Sequence, residues 1–166
     1  MARKPKTEFT IVPAEQADLD RIMEIEHLCF SSPWSRQVFV EEMGHTYSKI
    51  MVARQGHGVP IAAFINYWIV HDEVHVLNVA THPGWRRRGL ARLLMNHATD
   101  SGLARGARLV TLEVRRSNVA AIAMYTALGY RPVDIRRSYY SNGEDAIVMI
   151  LDLQPRGGAA GRDPAA

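Results

Sequence analysis

Apolar and polar positions along this chain follow two periods, and each change of period marks the end of an element. Phe9, Ile11 and Pro13 alternate and predict a short strand. In ADLDRIMEIEHLCF the apolar Leu19, Ile22, Ile25 and Leu28 recur at helical spacing, which predicts a helix with that face buried. SSPWS interrupts it, and Ser35 is placed to cap a second short helix carrying Val38, Phe39 and Met43. Three β-rich runs follow, YSKIMVAR, VPIAAFINYWIV and VHVLNVAT, joined by QGHG and HDE, connections of hairpin length that predict an antiparallel meander.

After Pro83 and Gly84 the period becomes helical again. Leu90, Leu93, Leu94, His97 and Ser101 share a face, and Gly106 is a stop signal. RLVTLEV reads as a strand. NVAAIAMYTALGY reads as a helix capped by Asn118, with Ala121, Met124, Tyr125 and Leu128 on one face and Gly129 at its end. VDIRRSYY, the turn signal SNGE and DAIVMILDL predict a closing hairpin. The order is βααβββαβαββ, an α/β (α+β) chain. The strand–helix–strand unit from Val74 to Val114 is expected to be a right-handed parallel crossover within a largely antiparallel sheet, with helices on both faces. Residues 8–153 form the expected domain. Residues 1–7 and the Gly/Pro-rich 154–166 are expected to be disordered tails.

Composition narrows the function classes. At 166 residues one core suffices, and 47% hydrophobic with 22% charged residues is ordinary for a globular protein. The net charge of +3 favours acidic ligands, but the basic residues are interleaved with acids and do not form a nucleic-acid tract. A single cysteine, Cys29, excludes an internal disulfide framework. No run approaches the roughly 18 apolar residues of a membrane span, and MARKPKTEF lacks the apolar stretch of a signal peptide. The expected location is the cytoplasm.

The chemistry concentrates in HPGWRRRGLARLL. A strand passes through a Pro-Gly loop into a helix that begins near Gly89, where unpaired backbone N–H groups and the helix dipole attract an anion. Gly89 allows close approach, Ala91 stays small, and Arg86, Arg87, Arg88 and Arg92 add positive field around Leu90. The alternative is a solvated arginine face. Neither GxxxxGK[ST] nor GxGxxG is present. In HDEVH two histidines, His71 and His75, stand four apart as in the zinc motif HExxH. The glutamate is one place too late and the segment reads as a hairpin turn, so no metal is expected. Cys29 reads as a small core residue, and His82 as a residue that simply precedes Pro83.

Arg86-x-x-Gly89-x-Ala91 resembles the pyrophosphate-binding signature Arg/Gln-x-x-Gly-x-Gly/Ala of the GNAT acyl-coenzyme A N-acyltransferases, and the element order matches that fold from about Phe9 to Leu153. TLEVRRSNVAAIAMYTALGY, IRRSYYSNGEDAIVM and SSPWS are similar to the RimI subgroup, which acetylates the N-terminal alanine of a small-subunit ribosomal protein. The resemblance implies acetyl-coenzyme A (acetyl-CoA) as co-substrate, no metal, and a protein N-terminus as acceptor, with no nucleic acid or membrane partner required. Another peptide or small-molecule amine as acceptor, or a non-catalytic coenzyme A- or RNA-binding module, is the alternative reading.

Acyl transfer to an amine needs a base, an oxyanion site and a proton for the thiolate. Glu113 lies in a strand where an unpaired carboxylate is costly; it is either paired with Arg115 or Arg116 or functional, and the resemblance makes it the base. Tyr125 is a packed core tyrosine or, as the resemblance implies, the acid that protonates the coenzyme A sulfur. Asn118 serves as cap, and the resemblance adds a cofactor contact. It also assigns the oxyanion and pantetheine contacts to backbone amides of Val79, Ala80 and Thr81. Trp34, Ser35, Tyr139 and Tyr140 match segments lining the acceptor slot, with ordinary packing as the alternative.

Overall fold

The computed structural model describes residues 8–153; both expected tails lie outside the described residues. The elements are β1 (Thr10–Pro13), α1 (Leu19–Cys29), α2 (Arg36–Gly44), β2 (Ser48–Arg54), β3 (Ala63–Val70), β4 (Glu73–Thr81), α3 (Leu90–Leu103), β5 (Leu109–Arg115), α4 (Val119–Ala127), β6 (Arg131–Arg136) and β7 (Ala146–Asp152), with 3-10 turns at Gln16–Asp18 and Pro83–Trp85. The expected order is reproduced. One seven-stranded sheet runs β1-β2-β3-β4-β5-β7-β6, and every neighbouring pair is antiparallel except β4–β5.

The alternation of side chains along each strand divides the core into two layers. Ile50, Val52 and Phe64 face α1 and α2, against Leu19, Ile22, Ile25 and Phe39. Met51, Ala53, Ile65, Tyr67, Val74, Val76, Val110, Leu112 and Val114 face the other way, against Leu90, Leu94, Met95 and Ala98 of α3 and Tyr125 of α4. Burying each large side chain of these layers contributes about 1.5–3 kcal/mol. The helices are therefore held by the sheet.

Two helical faces differ from expectation. In α1 the buried stripe is Leu19, Ile22, Ile25 and Glu26, while Leu28 is 52% exposed. Spacing by three drifts off a helix of 3.6 residues per turn, and the stripe follows Ile22 to Glu26 instead. In α3, Leu93 is exposed and the buried stripe is Leu90, Leu94, Met95, Ala98 and Gly102. Gly102 is where α3 comes closest to β4: a Cβ there would collide with Val74 Cγ2 and stand 3.2 Å from the Ala107 Cβ.

The last hairpin is wider than SNGE suggests. β6 ends at Arg136, paired with Ala146, so residues 137–145 form a loop. Within it the Tyr140 N–H donates to the Glu144 carbonyl (3.1 Å) and the Gly143 N–H to the Tyr140 carbonyl (2.8 Å). Asn142-Gly143 turns the tip of this inner loop and does not close the strands.

Candidate active site

β4 decides where the site lies. Its pairing with β3 slips between Asn66 and Tyr67, leaving Leu77 as an extra residue between Val76 and Asn78. Its parallel pairing with β5 stops at Val76–Leu112. Beyond that point the two strands separate, and Glu113 is the first residue of β5 past the last pair. The His82 N–H donates to the Ala62 carbonyl (2.8 Å). By alternation the amide of Ala80 also faces β3, while those of Val79 and Thr81 face the gap. Of the three amides expected to face a ligand, Ala80 is thus directed away.

A cleft of about 680 Å³ opens at this gap. Val79 and Thr81 line it from β4, and Arg86, Arg87, Gly89, Leu90, Ala91 and Arg92 from the loop and first turn of α3. Glu113, Asn118 and Tyr125 line its other side, with Trp34 and Tyr140 also on the wall. Ser35, Arg88, Ala80 and Tyr139 do not line the cleft. Ser35 caps α2 through a hydrogen bond from the Val38 N–H (3.4 Å), and Arg88 lies over the Trp85 ring at 4.7 Å. Tyr139 is half-exposed, stacked edge-on against Tyr140.

The loop expected to cradle an anion has the backbone its sequence suggests. Gly89 is the N-cap of α3 with φ 76°, and nothing beyond the adjoining backbone lies within 4 Å of where its Cβ would be. Arg87 also has positive φ, 63°, so left-handed residues flank Arg88. Such windings turn successive N–H groups toward one concavity, and a non-glycine residue there stores strain that tends to mark binding loops. The Asn118 side chain accepts from the Ala121 N–H (3.2 Å) as a cap while lining the cleft.

Glu113 faces the α1/α2 side of the sheet, opposite to Leu112 and Val114. Its side chain is 9% exposed, with Oε2 2.7 Å from His75 Nε2 and Oε1 3.5 Å from Arg136 Nη2. Burial raises its pKa, but the His75 hydrogen bond and the charges of His75 and Arg136 outweigh burial and hold the carboxyl below its ordinary value. Neither Arg115 nor Arg116 is its partner: they pair with Glu144 (3.1 Å) and Asp145 (3.8 Å). Tyr125 approaches from the opposite layer on α4. Burial, then the neighbouring Tyr140, push its phenol up to about 12, so it stays protonated at neutral pH. Tyr140 is held under the Arg115 guanidinium, 3.9 Å from its ring centroid.

Several residues of this site escaped the sequence. Glu26, 1% exposed, accepts from the Trp34 N–H (3.0 Å) and the Asn78 side-chain amide (2.7 Å); burial raises its pKa despite these bonds. Its signal was a carboxylate at helical spacing from Ile22. Cys29 lines the cleft and donates to the Thr81 carbonyl (3.2 Å), so it is not simply a core residue. His82 accepts from the Gly84 N–H (3.0 Å) and shapes the loop before the cradle. His71 occupies the β3–β4 turn at φ 53°, apart from the strand position of His75.

The model of the acetyltransferase (GNAT) family matches residues 19–130. The chain belongs to the GNAT acetyltransferase family. GNAT acetyltransferases use acetyl-CoA, and the cleft between β4 and β5 is open for such a chain-like co-substrate. The chain is 38% identical over 147 residues to the [ribosomal protein bS18]-alanine N-acetyltransferase of Escherichia coli (strain K12), covering 87% of this chain and 97% of the relative. It is 30% identical to the enzyme of the same name from Haemophilus ducreyi, with coverage of 83% and 96%. The crystal structure of the ribosomal-protein-S18-alanine N-acetyltransferase from Escherichia coli superposes with a TM-score of 0.80 at 36% identity, covering 92% and 98%. Arabidopsis thaliana NAA60 in complex with a bisubstrate analogue shares the fold, with a TM-score of 0.80 at 20% identity and coverage of 89% and 100%. Among the described residues, no helix of this GNAT protein is long and apolar enough to cross a membrane.

Proposed function

We propose that this GNAT acetyltransferase transfers the acetyl group of acetyl-CoA to the N-terminal α-amine of a protein that begins with alanine. A small-subunit ribosomal protein in the cytoplasm is the acceptor. The observation that carries this reading is the meeting of Glu113 and Tyr125, from opposite layers of the sheet, at the gap where β4 leaves β5. Relatives named for alanine N-acetylation of ribosomal protein bS18, spanning nearly their full length, support the acceptor.

In this reading residues 8–153 are the catalytic domain. Gly89, Leu90, Ala91 and Arg92 hold the pyrophosphate with their main chain, and Arg86, Arg87 and Arg88 supply positive field. Asn118 contacts the same co-substrate. The gap-facing amides of Val79 and Thr81 serve the acyl and pantetheine groups, and Ala80 supports them from the β3 side. Trp34 and Tyr140 border the acceptor slot, with Ser35 and Tyr139 behind them.

Glu113 takes one proton from the α-ammonium. The free amine attacks the thioester carbon, the C–N bond forms, and the C–S bond breaks as the tetrahedral intermediate collapses. Tyr125 gives its proton to the leaving sulfur and is restored by the second proton from the nitrogen, so one proton leaves per turnover. An α-amine titrates near 8 against about 10.4 for a lysine side chain, so a carboxylate base finds it deprotonated far more often.

Incubation with acetyl-CoA and a peptide panel, read by intact mass and fragmentation, tests this. The acetyl group is expected on the α-nitrogen of Ala-initiated peptides, with an N-terminally blocked lysine peptide and polyamines nearly inert. Acetyl mainly on lysine Nε or on a small amine would overturn the assignment.

A further inference from the structure

The base has to be emptied once per turnover, and its surroundings make that difficult. The Glu113 side chain is 9% exposed, and it lies at the narrow start of the gap. Acetyl-CoA and an acceptor chain together would close the cleft over it. One oxygen meets Arg136, which carries no exchangeable lone pair and stays charged. The other meets His75 Nε2 at 2.7 Å.

His75 is the group through which a proton can leave. It sits on β4 between buried Val74 and Val76, so alternation turns it to the same side as Glu113, and its side chain is 29% exposed. The Trp68 ring of β3 packs perpendicular to the imidazole, with the ring centroids 5.9 Å apart. Trp68 is itself anchored by its indole N–H to Glu42 (2.7 Å). Imidazole exchanges a proton between its two nitrogens near neutral pH, which carboxylate and guanidinium do not. Among the described residues, Nδ1 of His75 has no protein hydrogen-bond partner, so it is available to water.

We propose that His75 is a positioning and proton-relay residue for Glu113. As the Nδ1–H tautomer it accepts at Nε2 the proton that Glu113 took from the acceptor amine and releases the Nδ1 proton to water. The resulting Nε2–H then donates to and orients the carboxylate, and exchange of the ring protons with water restores the Nδ1–H form. The transfer moves one proton from nitrogen to carboxylate to imidazole to solvent, and no other group changes its charge. The inference rests on Glu113 being the base. The groups that face the His75–Glu113 pair are Arg136 and Tyr140 from the 131–145 segment, and Glu42 through Trp68 from the α2 side.

The test uses the full chain, acetyl-CoA and a peptide with a free N-terminal alanine, with thiol release as readout. His75→Gln can still donate to Glu113 but cannot carry a proton. Its kcat is expected to fall about ten- to a hundredfold, at or below the low end of acid–base contributions, with KM for acetyl-CoA unchanged and thermal stability near wild type. Its rate should rise with the concentration of small buffers, and imidazole should restore His75→Ala; the wild type should show no buffer dependence. A kcat within twofold of wild type, a change confined to KM, or a loss that neither buffer nor imidazole restores would overturn the relay. Glu113→Gln separates the two readings. If it turns over normally, the base assignment fails with the relay. If it is inactive while His75→Gln is not slowed, the relay alone is wrong.

Discussion

Gly89→Ala separates a cradle made of main chain from one made of arginines. Two costs can be worked out independently. In the folded protein nothing beyond the adjoining backbone lies within 4 Å of the added Cβ, so nothing clashes. What remains is the left-handed backbone, φ 76°, which costs a non-glycine residue about 1–2 kcal/mol. At about 2–4 °C per kcal/mol for a chain of this size, the melting temperature should fall by about 2–8 °C. The second cost falls on the ligand, because the Cβ would occupy space next to the first N–H groups of α3. Displacing a pyrophosphate from one charge-assisted hydrogen bond costs about 1.5–3 kcal/mol, or about ten- to a hundredfold in Kd. Arg86→Ala should do less. Its side chain is exposed, its recorded contact is Cys29 Sγ at 3.6 Å, and an exposed charge contributes about 0–1 kcal/mol. Thermal unfolding without ligand and calorimetric titration with acetyl-CoA read the two costs. If Gly89→Ala lowers stability but binds acetyl-CoA within twofold of wild type, or if Arg86→Ala weakens binding more, the backbone does not hold the anion. A bulkier Gly89→Val would confuse the two, since a β-branched residue is poorly tolerated at positive φ.

Glu113→Gln should retain acetyl-CoA affinity and lose about 10²–10⁴-fold in kcat with an Ala-initiated peptide; thiol release together with titration checks both. The same variant tests linkage. The Glu113 carboxyl is held below 4.5 in the folded state, so its ionised form stabilises the fold above pH 4.5 and loses that effect as pH falls through the lowered value. Wild-type and Glu113→Gln unfolding curves should therefore converge on acidification. Glu144 is held at about 2, chiefly by the Ser117 hydroxyl and amide. The loop 137–145 should consequently keep its amide protection down to pH 4.5 and lose it between 4.5 and about 2, as hydrogen exchange would show. Gly102→Ala forces a methyl into Val74 and should cost about 1–3 kcal/mol, seen as a lower melting temperature with KM unchanged.

The order of elements, the sheet's mixed character and a glycine-led helix start at Gly89 were legible in the sequence. Each depends on local chemistry: the period of apolar residues, a glycine before a leucine-rich helix, Asn118 and Ser35 at their caps. Glu113 and Tyr125 were legible as candidates, because a carboxylate in a covered strand and a hydroxyl on an apolar helix face are both costly without a purpose, and the family resemblance supplied their proposed roles. Their meeting was not. It depends on the slip at Leu77 and on β4 leaving β5 after Val76, and these are set by the register between strands far apart in the chain. The same register puts His75 against Glu113, where the sequence offered Arg115 and Arg116 as partners. Glu26 went unseen because a helix of 3.6 residues per turn carries its buried stripe past Leu28, a difference that packing against β4 resolves. A sequence fixes which residues are able to do chemistry; long-range pairing decides which of them are within reach of each other.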